Sequence, residues 1–505
     1  MFPSASPILA VLIAAAPVAV APEGRALGLA DCLRLVVAQN PDVAADRLDV
    51  AMGRLDFESA RHKYGLFLTA GPDLTRSIRP TGSSFLSGGV SQLQELDQTY
   101  KLALRQDLTT GGNLSLSFQN GVVDTNSKSV DINPAFTPTA SLNFSQPLLR
   151  DFLSGSQAIE IARVGAQQAD LRGRDKLIKS VADAETAYWQ LVAARKEIEV
   201  RERSLVLVKD LVRIDKEKAK AGLLARLDVL QAEASLAVRE STLLASRRTL
   251  AKAEDKLRAM IDPALASPAW DDGITPSDAP TFRPRPVSFA ASWQTAQERR
   301  GDLATSVLER TRTQTMLDQA GNHLWPRLDL QGGAGVTNLG NSLTGAVSDL
   351  PTLKNYDLRA GVALNWPLGH SSEQDEYHKS QLRAEQSGLN ERSTRQRAYV
   401  EVRDAVRDVE IDTMRVAATK LARELADAKL DAEQAKLKAG LSTNFEVLKF
   451  QEDFEQASLE EVQATIEFLQ AETRLEQVQG TLLENRGLVV VDAAPAAMTY
   501  PEPAK

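Results

Sequence analysis

Hydrophobic and polar positions follow two different periods along this chain. In "NLSLSFQ" Leu114, Leu116 and Phe118 alternate with Ser and Gln, and in "TASLNFS" Ala140, Leu142 and Phe144 do the same. In "DLRAGVALNW" Leu358, Ala360, Val362, Leu364 and Trp366 share one face, and Asp357, Arg359 and Asn365 share the other. Period two predicts strands, and one apolar face with one wet face suits a sheet that separates two solvents, although any half-buried antiparallel sheet gives the same alternation. Elsewhere the pattern is helical. From about 157 to 221 and from about 373 to 439 there is no proline and little glycine. Each run predicts a helix of roughly 65 residues, about 100 Å long. Each is expected to double back into a second helix, over about 226–261 and 445–486.

The predicted elements come twice. Residues 39–68, "QNPDVAADRLDVAMGRLDFESARHKYGLFL", align without a gap on 299–328, "RRGDLATSVLERTRTQTMLDQAGNHLWPRL", matching Asp42 with Asp302, Leu48 with Leu308, Ala60 with Ala320 and Leu68 with Leu328. Each segment leads into strand-like sequence, a proline, a long helix and a glycine-centred motif. Those motifs are "KAKAGLLARLDVLQ" (218–231) and "KLKAGLSTNFEVLK" (436–449), identical at seven of fourteen positions. A glycine ends a helix well because it can take the left-handed conformation that satisfies the last carbonyls. Each motif therefore predicts a hairpin tip, with Ser442, Thr443 or Asn444 available to cap the returning helix in the second. The first half is longer between Leu68 and Pro147 by roughly forty residues, and a hairpin around Gly111-Gly112 in "YKLALRQDLTTGGNLSLSFQNGV" (100–122) is the candidate for the insertion.

Composition narrows the functions open to such a chain. With 505 residues but 5% aromatics, one cysteine and four histidines, it is poorly stocked for catalysis and suited to a thin, long core. His62, His323, His370 and His378 have no metal-ligand spacing, and no Gly-rich phosphate loop or nucleophile triad is evident, so no enzyme and no cofactor is expected. The net charge of -8 gives no case for nucleic acid. Residues 1–21 are apolar at signal-peptide length, although no Lys or Arg precedes the core and Pro22 follows the best cleavage site. Cys32 reads as a small packing residue; a lipid-anchor reading of "LADC" meets Asp31 where a small residue belongs. No other segment reaches eighteen apolar residues, so a membrane would be spanned by strands.

Taken in order, the entry segments "NPDVA" and "RRGDLA", the strand exits "SQPLL" and "NWPLG", and the doubled "AGLLARLDVL" and "AGLSTNFEVL" resemble the TolC-like outer-membrane efflux protein family over about residues 27–487. The resemblance implies an α+β membrane protein with a twofold internal repeat. Its homotrimer would share a transmembrane antiparallel β-barrel, four strands per protomer, that continues into a long antiparallel α-helical coiled-coil barrel in the periplasm. The extra hairpin at 100–122 would lengthen strands, form a surface loop or add staves. The implied domains are a signal peptide (1–21), a first repeat (22–261; strands 66–149, helical hairpin 157–261), a linker (262–286), a second repeat (287–487; strands 326–367, helical hairpin 373–486) and a loose tail (488–505).

The family also implies a function, a passive outer-membrane exit duct of a tripartite efflux or type I secretion system. Its partners would be a periplasmic adaptor (membrane fusion) protein, an inner-membrane transporter that supplies the energy, and outer-membrane lipids. Adaptor hairpins would contact tips that match Gly222, Leu223, Leu224 and Ala225, and Gly440, Leu441, Ser442 and Thr443. Asp228 and Glu446 match positions of an acidic ring at the lumen entrance, with Lys449 replacing a second acid one turn later, and Leu437 and Ser442 standing where some relatives carry a latch. Pro147, Pro326 and Pro367 fit barrel-to-helix junctions, with Leu66 at the equivalent of Pro326. Tyr100, Phe118, Phe144 and Trp366 are candidates for an interfacial aromatic belt. A soluble coiled-coil scaffold and a periplasmic adaptor are the alternatives; an adaptor would carry one hairpin per chain rather than two.

Overall fold

A computed structural model of the chain describes residues 26–81, 89–222, 224–261, 273–366, 368–369 and 371–488. The expected signal peptide, Leu223, Pro367, His370, the first part of the linker (262–272) and residues 489–505 of the tail lie outside the described residues.

Helices and strands alternate in a fixed order. After β1 (Ala26–Leu27) come α1 (Leu29–Gln39) and α2 (Pro41–His62). Four long strands follow: β2 (Leu66–Pro80), β3 (Gln92–Asp107), β4 (Asn113–Thr125) and β5 (Ala135–Pro147). Next are α3 (Ser154–Lys220) and α4 (Arg226–Ile261), then β6 (Thr275–Pro276), α5 (Phe289–Arg299), α6 (Gly301–Asn322) and β7 (Arg327–Thr337). The chain continues through α7 (Leu343–Ser348), β8 (Tyr356–Asn365), α8 (Ser371–Lys438), α9 (Asn444–Gln479) and α10 (Leu482–Asn485). The helix expected over 445–486 breaks at Gly480, whose φ of +75° ends α9.

Local chemistry sets the helix breaks. Pro41 has no N–H to lose and starts α2, while Asn40 Oδ1 accepts from the amides of Asp42 and Val43 at 2.8 and 3.3 Å. At the α5–α6 break Asp302 Oδ1 accepts from the Leu303 amide, and Asp175 of α3 accepts from the Gly301 amide. A Cβ on Gly301 would lie 2.5 Å from an Asp175 carboxylate oxygen, so this helix start is shaped for glycine.

The chain divides into two units. One holds residues up to Ala51, Ala169–Thr305 and from Arg392 onward, and contains all four hydrophobic clusters found among the described residues. Small and β-branched residues dominate them, such as Val402, Ala405, Val406 and Val409 against Ala464 and Phe468, as expected where helices pack closely along their length. Cys32 is fully buried beside Tyr188, Leu191 and Leu257, and burial pushes its thiol up to about 12, so it acts as a packing residue. The described end of the expected linker is packed rather than loose. Ile274 and Phe282 join the clusters, β6 pairs with β1, and Asp278 Oδ2 accepts from the Leu29 amide at 2.6 Å at the start of α1.

The other unit holds Met52–Gln168 and Ser306–Glu391. Among the described residues its six long strands form one antiparallel sheet in the order β2-β3-β4-β5-β7-β8. The hairpin around Gly111-Gly112 therefore adds two strands, β3 and β4, in the middle of the sheet, where the family resemblance implies four strands in all. Gly111 has a φ of +90°, which the tight β3–β4 turn requires and a side chain resists. Between β7 and β8 the chain folds into α7, capped by Ser342, and Gly340 bridges to Phe136 of β5.

Candidate functional site: the sheet faces and the hairpin tips

Residues opposite one another across a ladder share a face, so the register assigns every strand position to one of two surfaces. Leu68 pairs with Leu104, Leu104 with Leu116, Leu116 with Leu142, Leu142 with Ala334 and Ala334 with Leu358, a row of apolar side chains across all six strands. This face is open to solvent in the single chain: Leu74 is 68% exposed, Leu116 51% and Leu358 73%. Tyr100, Phe118 and Phe144 lie on it, as the alternation predicts. On β8 the apolar run is bracketed by Tyr356 and Trp366. Ten residues at about 3.4 Å, tilted about 45°, rise about 24 Å, which matches the roughly 25 Å outward band of a membrane barrel.

The opposite face is wet. Asp97, Lys101, Ser117, Gln119, Asn143 and Gln331 occupy it, and hydroxyls pair across strands, Ser117 with Ser141 at 2.7 Å and Thr139 with Thr337 at 3.0 Å. Charges near the strand ends are paired within one strand, Arg105 with Asp107, Arg327 with Asp329 and Arg359 with Asp357. A folded monomer does not normally leave so large an apolar patch uncovered, and polar side chains cannot form a core. The apolar face therefore suits hydrocarbon and the polar face suits water. Among the described residues no helix is long and apolar enough to cross a membrane.

Of the expected junction prolines, Pro147 is the last residue of β5, paired with Asp329, and Pro326 directly precedes β7. Leu66 opens β2 in the corresponding place.

At the hairpin tips both glycines are left-handed, Gly222 with φ +72° and Gly440 with φ +76°. The Gly222 amide donates to Ala219 O; the Gly440 amide donates to Leu437 O and the Leu441 amide to Lys436 O, satisfying the last carbonyls of α3 and α8. Leu224, Ala225, Ser442 and Thr443 form the connections, and Leu441 is 79% exposed. Of the three possible caps Thr443 caps α9, its Oγ1 accepting from the Glu446 amide. Ser442 donates to Glu433 of its own hairpin, and that bond with Lys436 nearby holds the Glu433 carboxyl below the usual range. Asp228 and Glu446 both lie in first helical turns, where a carboxylate meets the positive end of the helix dipole.

Two features of the helical hairpins escape sequence reasoning. Asp215 on α3 is fully buried and accepts from Asn444 Nδ2 at 2.5 Å, joining the first hairpin to the start of α9. Burial pushes its carboxyl up, and Asp228 adds to the effect. The only trace of this in the sequence is a carboxylate on the apolar stripe of Val208, Leu211 and Val212. Arg201 and Arg239 also converge on Glu455 of α9, a partly buried ion cluster between hairpins whose members look like ordinary helix-surface charges in one dimension.

The profile of the outer membrane efflux protein family matches residues 32–261 and again 293–481. The chain belongs to that family, the TolC-like outer-membrane channels. It is 25% identical over 370 residues to the outer membrane efflux protein BepC of Brucella suis, covering 71% of this chain and 76% of BepC. Among solved structures it resembles the CmeC outer membrane channel of Campylobacter jejuni, with a TM-score of 0.67 at 12% identity over 90% of this chain and 86% of that one. It also resembles the outer membrane protein VceC of Vibrio cholerae (0.65, 16%, 90% and 96%) and the open-state MtrE channel of Neisseria gonorrhoeae (0.65, 15%, 90% and 89%). At these identities the likeness is one of fold. The family is one of outer-membrane efflux channels and not of enzymes.

Proposed function

We propose that the protein is the outer-membrane exit duct of a tripartite efflux or type I secretion system. Three copies share one barrel through their sheets and one periplasmic tunnel through their helical hairpins, and substrate passes without energy input at this component. The observation that carries the reading is the six-strand sheet with one exposed apolar face and one polar face, in a chain of the outer-membrane efflux family. A twofold repeat, residues 22–261 and 287–487, is supported by the paired helix lengths: 11, 22, 67 and 36 residues for α1 to α4, and 11, 22, 68 and 36 for α5, α6, α8 and α9.

In this reading the tips at Gly222–Ala225 and Gly440–Thr443 receive a periplasmic adaptor, which couples the duct to an inner-membrane transporter. Asp228 and Glu446 form acidic rings at the entrance; three copies of each carboxylate in a narrow aqueous bore attract cations and repel anions. Lys449, exposed one turn after Glu446, weakens that field. Ser442 engages Glu433 and so leaves the latch of some relatives without its partner here. Pro147, Pro326 and Pro367 mark the junctions of strand and helix.

Single-channel recording of the purified protein in a planar bilayer tests this. Stepwise cation-selective openings are expected, with selectivity reduced in Glu446→Gln and Asp228→Asn. Pores indifferent to both substitutions would remove the ring assignment, and a soluble protein without conductance would return the chain to a coiled-coil scaffold.

A further inference from the structure

We propose that the shared barrel has eighteen staves, three copies of six strands, closed by pairing the β2 edge of one copy with the β8 edge of the next. This rests on the trimeric-duct reading and departs from the four strands per copy that the family resemblance implies.

The position of the added hairpin carries the inference. β3 pairs with β2 over the whole run from Leu66↔Gln106 to Pro80↔Gln92, and β4 pairs with β5 from Asn113↔Ser145 to Val123↔Ala135. The β3–β4 hairpin thus sits inside the sheet, hydrogen-bonded on both sides. Leaving it out of a ring would break both flanking ladders, strand β2 and open new edges rich in unpaired amides, which hydrocarbon does not tolerate. Among the described strands of this sheet only β2 and β8 have an unpaired side. The strand number is even and every neighbour antiparallel, so β8 of one copy runs antiparallel to β2 of the next and the alternation closes without a mismatch.

Both edges also match in chemistry. Leu66, Leu68, Ala70 and Leu74 on β2 continue the apolar face that Leu358 and Val362 present on β8. Leu66 and Asn365 lie at the same end of the sheet, as the successive registers require, so lipid-facing rows continue across the join.

Size follows from strand number. At a spacing of about 4.7 Å and a tilt of about 45°, eighteen strands give a backbone diameter of about 38 Å, against about 26 Å for twelve. Side chains do not fill a barrel of that width, so the lumen is an aqueous passage lined in the added part by Asp97, Thr99, Lys101, Ser115, Ser117 and Gln119. Such a barrel passes broader solutes than a twelve-stranded one, and any narrower limit lies elsewhere along the duct.

Two measurements test this on the full chain. Electron cryomicroscopy of the unmodified protein in lipid nanodiscs should show a closed ring of eighteen strands. Cysteine pairs on the polar faces of the two edges, a scan of Thr69→Cys or Gly71→Cys with Gly361→Cys or Ala363→Cys, should give covalent dimers and trimers on oxidation in at least one register. A twelve-strand ring with β3 and β4 outside it would overturn the inference and leave the duct reading intact. A closed barrel from a single copy would overturn the inference and the trimer together, and absence of any barrel would overturn the duct reading itself. The unmodified protein decides the count even if a cysteine variant fails to assemble.

Discussion

The two halves of the chain agree in their helices and differ in their strands. Helix lengths match to within one residue across four pairs, yet the first half gives four strands to the sheet and the second gives two. The difference reflects how each kind of element is constrained. Along a packed helical array an added turn displaces every later contact and moves the tip, so length is held by all neighbours at once. An antiparallel sheet accepts a whole hairpin, because the two new strands satisfy each other and need only dock locally on β2 and β5.

The most severe break of that comparison is a charge on the apolar face of the added hairpin. Leu116→Arg should cost about 2–4 kcal/mol if the residue faces the bilayer midplane, seen as loss of heat-resistant assembled protein from outer-membrane fractions. Gln119→Arg, on the opposite face of the same strand, should be nearly neutral; equal effects would refute the assignment of faces. Next comes the α5–α6 break. Gly301→Ala forces a Cβ against the Asp175 carboxylate and should lower stability by about 1–3 kcal/mol in thermal denaturation, and Asp175→Ala in the same chain should recover part of the loss. Its first-half counterpart, Asn40→Ala, should cost about 1 kcal/mol by removing a cap instead.

A smaller effect compares the tips directly. Gly222→Ala and Gly440→Ala should each cost about 1 kcal/mol, since both glycines have the same left-handed conformation, and hydrogen exchange at the ends of α3 and α8 should rise equally. Unequal responses would mean that one tip is held by contacts the other lacks.

The mildest prediction concerns pH. Burial, with Asp302 nearby, raises the Asp175 carboxyl to about 6. Its folded value lies above its unfolded one, so the folded chain binds the proton more tightly. Asp175 therefore destabilises the fold most above about pH 6, and the penalty fades as pH falls toward 4. Asp175→Asn should be more heat-stable than wild type at pH 7.5, by about 1 kcal/mol after allowing for solvent screening, with the margin closing below pH 5. A constant margin across that range would refute the titration.

Much of this was legible in one dimension. The alternation of "NLSLSFQ" and "DLRAGVALNW" predicted strands and faces, the proline-free runs predicted the long helices, and the doubled "AGL" predicted the turns, because each signal is local: side-chain period, ring closure and backbone handedness act within a few residues. The packed end of the linker at Ile274, Phe282 and Asp278 was not legible, since its contacts are with residues far away in the chain.

By itself the sequence determined the period of the quoted strands, the two glycine-centred turns and, to within a few residues, three of the four long helices, the fourth ending early at Gly480, all set by the chain's own covalent and steric rules. Tertiary structure alone decided that the Gly111-Gly112 hairpin enters the sheet as two full strands, that Asp215 meets Asn444, and that Glu455 collects two arginines. Those outcomes depend on which surfaces meet across hundreds of residues, and a hydrogen-bond donor or charge looks the same in the sequence whether it faces water or a partner.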